Sequence, residues 1–349
     1  MTKEVNQLPE IFSSTGSLGE SHRQYGRIYR NHPVLIEDHN ILRYHVTRMS
    51  GNLGQGGIGR IVFRGVATEE AVKHALIDRN LSEHIEVMAP LDDFGFAGKW
   101  LVMIGKNSQD RRGCSRIKIV SETEEYPEVT RSAESRIEAV LQEGYEVTHS
   151  TAGQEMMIAE LWGHTFGWTF DEVQALSQRL RAEKDFHAQN RSLWVSMIIN
   201  KNKIITAAMA ERLRIPVGDK HIDLIENTEW KTRIGFENQG FMTATLIDLN
   251  SQVIRDLDAT GICSLIFAEC NFATRSDRAA HGAGFVVPDR VLLGSLVPQV
   301  LSQNVEVEGE MQDFTYMFLT KEAKERYYSA EQVEKVLKGV GRHEYSGIL

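Results

Sequence analysis

The loop between a strand pattern and a long amphipathic helix pattern constrains this chain more than any other feature of its sequence. The loop opens the stretch "FENQGFMTATL", residues 236–246, and it follows the strand-like run "IDLIENTEW". In the helix pattern, apolar residues return every three or four positions and share one face; they are Met242, Leu246, Leu249, Val253 and Leu257. A strand that leads through one glycine into a helix with an apolar face predicts an α/β protein.

The first turn of this helix is predicted to bind a pyrophosphate. Unpaired N–H groups at the start of a helix, together with the positive end of the helix dipole, favour bound phosphate. The predicted site consists of Asn238, Gln239, Gly240, Phe241, Met242 and Thr243. Gly240 would allow the positive φ and the close approach that such a turn needs. An ordinary turn between a strand and a helix is the alternative.

A denser run of glycines, "GNLGQGGIG" at residues 51–59, is a poorer candidate for a phosphate site. It is followed by "RIVFRGV", which has the composition of a strand, whereas a phosphate-binding glycine loop must open a helix. We interpret residues 51–59 as a flexible hairpin or inter-strand loop.

The remaining strand and helix patterns occur in a definite order. From Tyr145 onward the order is strand, two helices, hairpin, strand, glycine-turn helix, strand ending at Asn271, short helix and a final strand pair. Before residue 113, three runs have strand-like patterns and "EEAVKHALI" has helical spacing; the strand-like runs are "ILRYHVTRM", "RIVFRGV" and "WLVMIG". We therefore expect a smaller α/β unit ahead of a larger one.

The composition limits the ligands and the compartment. The chain has 349 residues and a formal net charge of −9, so it lacks the overall positive charge that favours nucleic acid or anionic lipid. Its three cysteines form no CxxC pair and its twelve histidines form no HExxH motif, so neither a disulfide framework nor a metal site is expected. No run of 18 apolar residues occurs, so no membrane span is expected and the chain is predicted to be cytoplasmic.

The element order and the glycine loop together resemble the GNAT superfamily of N-acetyltransferases. The acyl-CoA loop of that family has the pattern Q/R-x-x-G-x-G/A, and residues 237–242 match it with departures at Glu237 and Met242. Asn271 matches the asparagine that commonly faces the CoA arm, and "HGAGF" matches the end of the helix that follows. Three stretches, "IENTEWKT", "QGFMTATLIDL" and "VLSQNVEVEGEMQDFTYMFL", are similar to the C-terminal half of β-lysine N-acetyltransferases.

This resemblance implies a fold and a domain organisation. The expected fold is α/β (α+β), with a C-terminal GNAT fold around a mixed central sheet and a smaller α/β N-terminal domain, for which a half-GNAT fold is one interpretation. The expected divisions are a flexible arm at 1–25, the N-terminal domain at 26–113, a linker helix at 114–143, the GNAT domain at 144–322 and a helical tail at 323–349.

The resemblance also implies a reaction. Acetyl-CoA would be the co-substrate, and an acyl group would pass to the amine of a small amino acid or amine metabolite by direct attack in a ternary complex. Glu226 and Glu229 are candidate bases, although three residues apart on a regular strand they would face opposite ways unless a bulge intervenes. Glu211 is a third candidate base. The tyrosine that the family often uses as a general acid would fall near Ala280, so His281 and Tyr316 are the candidate proton donors.

Two other functions stay open at this point. One is an enzyme that transfers amino acids from aminoacyl-tRNA with two GNAT-like domains, which the acidic net charge disfavours. The other is a non-catalytic binding protein with a GNAT fold. The sequence also leaves the oligomeric state open, with a homodimer as one alternative.

Overall fold

The structure is a computed structural model. Its fold class is the predicted one, an α/β protein with a mixed main sheet that is preceded by a smaller α/β region. The residues described are 27–32, 34–52, 60–82, 84–92, 95–107, 129, 131–149, 153–166, 170–183, 191–201, 203–217, 220–258, 264–271, 274–286, 303–307 and 310–339. The predicted N-terminal arm lies outside them, as do Cys114 and Cys263.

The N-terminal sheet has four strands, in the order β1-β2-β4-β3. Its strands are β1 (Arg27–Asn31), β2 (Arg60–Thr68), β3 (Ile85–Pro90) and β4 (Lys99–Asn107), and its helices are α1 (His39–Asn52), α2 (Glu69–Ile77) and α3 (Arg79–Ser82). Strands β1 and β2 are parallel, and the other neighbours are antiparallel. The "RIVFRGV" and "WLVMIG" strands and the "EEAVKHALI" helix are therefore confirmed.

One predicted strand is wrong, because "ILRYHVTRM" lies within helix α1. Its buried side chains are Leu42, His45, Val46 and Met49, which recur at helical spacing and pack on one side. The partial alternation of apolar and polar residues in this run fits both periods. As a result, the glycine-rich run 51–59 begins at the end of a helix and precedes a strand, and does not join two strands; residues 53–59 lie outside those described.

The main sheet has seven strands, in the order β10-β11-β9-β8-β7-β6-β5. They are β5 (Glu146–Thr148), β6 (Leu193–Asn200), β7 (Lys203–Val217), β8 (Lys220–Thr232), β9 (Ser264–Asn271), β10 (Gln303–Val307) and β11 (Glu310–Leu319). Only β8 and β9 run parallel among these neighbours, so the predicted mixed sheet is confirmed.

Seven described helices accompany the main sheet. They are α4 (Ala133–Gln142), α5 (Glu155–Phe166), α6 (Phe170–Glu183), α7 (Phe241–Asp258), α8 (Ser276–Gly282), α9 (Lys321–Tyr327) and α10 (Ala330–Gly339). The predicted order of elements after Tyr145 is confirmed. The stretch "RLRIPVGDKH" lengthens the β7–β8 hairpin, whose register continues to the pair Val217 and Lys220.

Helix α7 covers one face of the main sheet, which we call the back face and which carries Ile225 and Ile266. Leu246, Leu249 and Val253 of its predicted apolar stripe are fully buried there, because the helical period keeps them on one side. Helices α4 and α10 pack on α7 and share the same core. Ser132 caps α4 by accepting a hydrogen bond from the N–H of Ser135.

The opposite face, which we call the front face, is covered by two different parts of the chain. Helices α5 and α6 pack against β6 and β7. The N-terminal sheet packs against β8, β9 and β11, where Leu224, Phe267 and Phe318 join one apolar cluster with Val66 and Leu101. The two sheets therefore share a hydrophobic core, while the domain boundaries expected from the sequence stay a prediction.

Candidate functional site

The predicted pyrophosphate loop lies between the end of β8 at Thr232 and the start of α7 at Phe241. Asn238 and Gly240 have φ values of 63° and 82°, and a Cβ at Gly240 would meet no atom within 4 Å. The left-handed backbone favours glycine at position 240 and is tolerated by asparagine at position 238. Asn238, Gln239 and Gly240 are exposed, so their backbone is open to a ligand.

The side chains at the start of α7 point into the protein. Phe241 is 1% exposed and packs on Tyr145, with 4.6 Å between the ring centroids. Met242 is partly buried, and the Thr243 hydroxyl donates to the Ala279 carbonyl at 3.5 Å. Any contact of these residues with a ligand beside the loop therefore falls to their backbone N–H groups.

Glu237, one of the departures from the family pattern, binds to its own loop. Its Oε2 accepts a hydrogen bond from the Gly235 N–H at 2.6 Å. Backbone N–H groups, its own and that of Gly235, hold the pKa of the Glu237 carboxyl below its usual value. The Glu237 carboxylate is therefore hydrogen-bonded to the part of the loop that follows β8.

Arg136, which the sequence reasoning missed, lies beside the first turn of α7. A Cβ at Gly282 would lie 3.0 Å from Thr243 Cγ2 and 3.5 Å from Arg136 Nη1, so α4, α7 and α8 meet at this glycine. The buried Nε of Arg136 has no hydrogen-bond partner among the described residues. Burial lowers the pKa of the guanidinium, with Arg131 adding to the effect. A lone basic residue on a helix gives no sequence signal of this kind.

Strands β8 and β9 part immediately before the loop. Their parallel register runs from Asp223 and Ser264 to Asn227 and Ala268, yet β8 continues to Thr232 and β9 to Asn271. Asn271 ends β9 at the same edge of the sheet, where its N–H donates to Ser276 Oγ at 2.7 Å. Beyond Asn227 and Ala268 the two strands no longer pair with each other, and we take this gap in the pairing as the opening of the candidate site.

A bulge in β8 lies along this opening. Glu229 has a φ of 54°, and the register with β7 shifts between Ala207 and Met209. The regular alternation that would set Glu226 and Glu229 on opposite faces is therefore interrupted, as the sequence analysis allowed. Glu229 is 4% exposed.

Glu226 lies on the front face of β8. It pairs across the sheet with Glu211 of β7, whose carboxylate binds Arg179 of α6 at 2.8 Å. Its own carboxylate accepts a hydrogen bond from Arg64 Nη2 at 2.8 Å. Burial raises the pKa of Glu226 above its usual value, and the nearby Arg64 opposes that shift.

The two candidate proton donors lie on opposite faces of the main sheet. Tyr316 belongs to the front-face core, and its hydroxyl donates to Glu86 Oε2 at 2.8 Å. His281 is on α8, whose Ala280 belongs to the back-face core and which lies close to the start of α7.

Arg64 and Glu86 of the N-terminal sheet were also not identified from the sequence. The signal available was a charged residue within an otherwise apolar strand run, at "RIVFRGV" and "HIEVMAP". A charged residue is tolerated in a buried strand when a group of opposite charge or a hydrogen-bond partner lies across the interface. A single sequence does not say where that partner is, and here it lies 162 positions away for Arg64.

The described residues hold no group of three or more His, Cys, Asp or Glu side chains arranged for a metal ion. Within the same residues, every helix is too short or too polar to cross a lipid bilayer.

Comparison with known proteins yields matches among solved structures alone. No protein-family model and no curated protein matches the chain. The ribosomal-protein-S5-alanine acetyltransferase of Vibrio fischeri is 14% identical, with 50% of this chain and 91% of that chain covered and a TM-score of 0.36. YncA of Salmonella typhimurium, assigned as an acetyltransferase and solved with its cofactor acetyl-CoA, is 16% identical over 50% of this chain and 93% of its own, with a TM-score of 0.35.

A third match is a protein of Desulfovibrio desulfuricans assigned to the GNAT family of acetyltransferases. It is 13% identical, with 50% of this chain and 98% of that chain covered and a TM-score of 0.34. At these identities and TM-scores, the matches assign neither a family nor an activity to this chain.

Proposed function

We propose that this chain is an acyl-CoA-dependent N-acyltransferase of the GNAT type, with acetyl-CoA as co-substrate. The observation that carries the proposal is the parting of β8 and β9 in front of the glycine turn that opens α7. Ligands of α/β sheets bind beyond the carboxyl ends of parallel strands, and a helix that starts there favours phosphate. The element order adds support, since it is the order on which the GNAT resemblance rests.

The residues at this opening fit the chemistry of CoA. The N–H groups from Gln239 to Thr243 would hold the pyrophosphate, and Arg136 would add a positive charge at the same helix end. Asn271 and the edge of β8 beyond Asn227 would offer polar groups to the amide-bearing arm. When bound, acetyl-CoA supplies the acyl thioester.

We assign the proton transfers of the reaction to residues on both faces of the main sheet. Glu226 would take a proton from the acceptor ammonium, and its raised pKa brings the carboxylate closer to the basicity that this step needs. A backbone N–H in the bulged part of β8 would polarise the acyl carbonyl. Tyr316 is bound to Glu86, so His281 beside the start of α7 is the better placed donor for the leaving thiolate.

The acceptor is proposed to be a small amine or amino acid, of which β-lysine is the example that the sequence resemblance suggests. Carboxylates from three neighbouring strands support a cationic acceptor, because Glu211 and Glu269 both act on Glu226 through their charge. The proposed location of the enzyme is the cytoplasm.

Calorimetric titration with acetyl-CoA tests the cofactor site. Gly240→Glu adds a side chain to a left-handed residue and a negative charge beside the first turn of α7, so we expect affinity to fall at least tenfold, about 1.4 kcal/mol. Gly144→Glu is the matched control, since its φ is 81° and its Cβ would also meet nothing within 4 Å. Arg136→Ala should weaken binding by about tenfold if the guanidinium meets phosphate.

Activity is measured as CoA thiol released with a panel of amines that includes β-lysine. Absence of acetyl-CoA binding in the unaltered protein, together with binding of aminoacyl-tRNA, would overturn the proposal in favour of the tRNA-dependent reaction. Binding of neither ligand would favour a protein without catalysis.

A further inference from the structure

A buried ion pair joins the two sheets at the proposed base. Arg64 Nη2 lies 2.8 Å from Glu226 Oε2, and the two side chains are 1% and 10% exposed. The Arg64 guanidinium also lies 5.4 Å from the centre of the Phe267 ring. Phe267 is the residue of β9 that pairs with Glu226, so Arg64 contacts both strands of the parallel pair.

The contact falls at the start of the opening between these strands. Glu226 and Phe267 form the second-last pair of the β8–β9 register, which ends at Asn227 and Ala268. Arg64 comes from β2 of the N-terminal sheet, which is far in sequence from the acyl-CoA loop. We propose that Arg64 is a positioning residue for Glu226, so that the N-terminal sheet completes the catalytic site. This inference rests on the proposed function, in which Glu226 is the base.

The charges around Glu226 explain why this partner matters. Glu211 of β7 and Glu269 of β9 disfavour its ionisation, as burial does, while Arg64 of β2 favours it. Arg179 of α6 is bound to Glu211. On β11, Tyr316 pairs with Glu269 in the sheet and donates its hydroxyl hydrogen to Glu86 of β3. Among the described residues, Arg64 is thus the cation in direct contact with the Glu226 carboxylate.

A purely structural pair would hold the sheets together without setting the protonation of the base, and pH profiles separate these roles. A base must be ionised to act, so the rate falls as pH drops through its pKa. Removing Arg64 should raise that pKa, and the acid limb of kcat/KM should move to higher pH by about one unit or more. The affinity for acetyl-CoA should change by less than about twofold, since Arg64 contacts Glu226 and Phe267 in the paired part of β8 and β9, ahead of the proposed CoA loop.

The experiment compares Arg64→Met and Arg64→Lys with Arg212→Met in the full chain. Arg212 is the matched control, because it is 3% exposed and pairs with the fully buried Asp223 near the other end of β8. We expect Arg64→Met to move the acid limb, Arg64→Lys to move it less, and Arg212→Met to lower stability without moving it. An acid limb that stays in place in a folded Arg64→Met protein would overturn the inference.

A second readout does not depend on activity. Carbon-13 labelling of glutamate carboxyl groups lets the titration of Glu226 be followed by NMR, with Glu226→Gln assigning its signal. The inflection should move upward in Arg64→Met, or in Arg64→Lys if the methionine variant does not fold. A moved inflection in a protein that neither binds nor uses acetyl-CoA would refute the proposed function and keep the coupling, whereas an unmoved inflection would refute the coupling itself.

Discussion

Individual polar residues at the interface of the two sheets depend on space that one glycine provides. A Cβ at Gly105 of β4 would lie 1.5 Å from Glu86 Oε1 and 2.2 Å from its Cδ. Glu86 can therefore lie over β4 and accept the hydrogen bond of Tyr316 only because position 105 has no side chain. The sequence shows a glycine within a strand, which is a known mark of close approach, but not which group approaches.

Gly105→Ala should destabilise the protein by about 1–3 kcal/mol, because the added methyl group displaces the Glu86 carboxylate. Urea unfolding at neutral pH measures the change. In the background of Glu86→Ala, the same substitution should cost much less, since the clash is then absent. Equal costs in the two backgrounds would show that Glu86 is not the group displaced.

Asp248 of α7 provides a test of pH dependence away from the proposed site. It is fully buried, and burial raises the pKa of its carboxyl, although His149, the nearby Ser196 hydroxyl and a hydrogen bond from Gln252 oppose the shift. The folded state therefore binds the Asp248 proton more tightly than the unfolded state. Its contribution to stability is complete below the ordinary pKa of 3.8 and declines as the pH rises toward the folded-state pKa.

Asp248→Asn removes this titration. The difference in unfolding free energy between the variant and the parent protein should change in favour of the variant by up to about 1.4 kcal/mol per pH unit above the ordinary pKa, and then level off. Urea unfolding of both proteins across the pH range measures it. A difference that does not vary with pH would contradict the assignment of a raised pKa.

Among the elements, the sequence was informative where one period dominated. Helix α7 was predicted from its apolar stripe, and α2 and the β6–β7 hairpin were predicted from clear patterns and turns. Helix α1 was missed because "ILRYHVTRM" fits two periods and contains His45, whose buried ring stacks on Phe63 with 3.9 Å between centroids. Local pattern does not report such tertiary contacts.

The C-terminal helices are joined to the core by a chain of hydrogen bonds. Asn227 of β8 donates to Asn250 of α7 at 2.7 Å, and Asn250 donates to the Tyr328 hydroxyl at 3.0 Å. That hydroxyl donates to the Ala283 carbonyl at 2.5 Å. The segment predicted as a tail is therefore linked through Asn250 to Asn227, the last residue of β8 that pairs with β9.

Tyr328→Phe should lower stability by about 1–3 kcal/mol, because it leaves the buried Asn250 amide and the Ala283 carbonyl without this partner. Thermal or urea unfolding gives the value. Tyr327→Phe serves as the control, since it removes a neighbouring hydroxyl outside this chain of bonds. Equal small effects of the two substitutions would mean that the chain of hydrogen bonds adds little.

At the scale of the whole molecule, the shared front-face core was not predictable. The sequence suggested a smaller unit before a larger one, and both are present. Apolar alternation shows that a strand has a buried face but not what covers it. The sequence pattern therefore did not indicate that two residues of the N-terminal sheet, Val66 and Leu101, contact the same core as Leu224 and Phe318 of the main sheet.

Because the core is shared, the two sheets should unfold together. Native-state hydrogen exchange should give the most protected amides of β2 and β8 the same opening free energy, within about 1 kcal/mol. Trp100 and Trp194, one in each sheet, allow the same test by fluorescence with the other tryptophans replaced. Two separate transitions would show that each sheet is stable without the other.

Synthesis on the ribosome delays the contacts that cover the N-terminal sheet. Its strands end at Asn107, but Phe267 and Phe318, which close over its inner face, emerge only after most of the chain has been made. Contacts of such sequence separation form slowly, and an uncovered apolar sheet is prone to aggregate in the meantime. We therefore expect the yield of folded protein in a cell to depend on translation speed and on chaperones, even where the finished protein is stable.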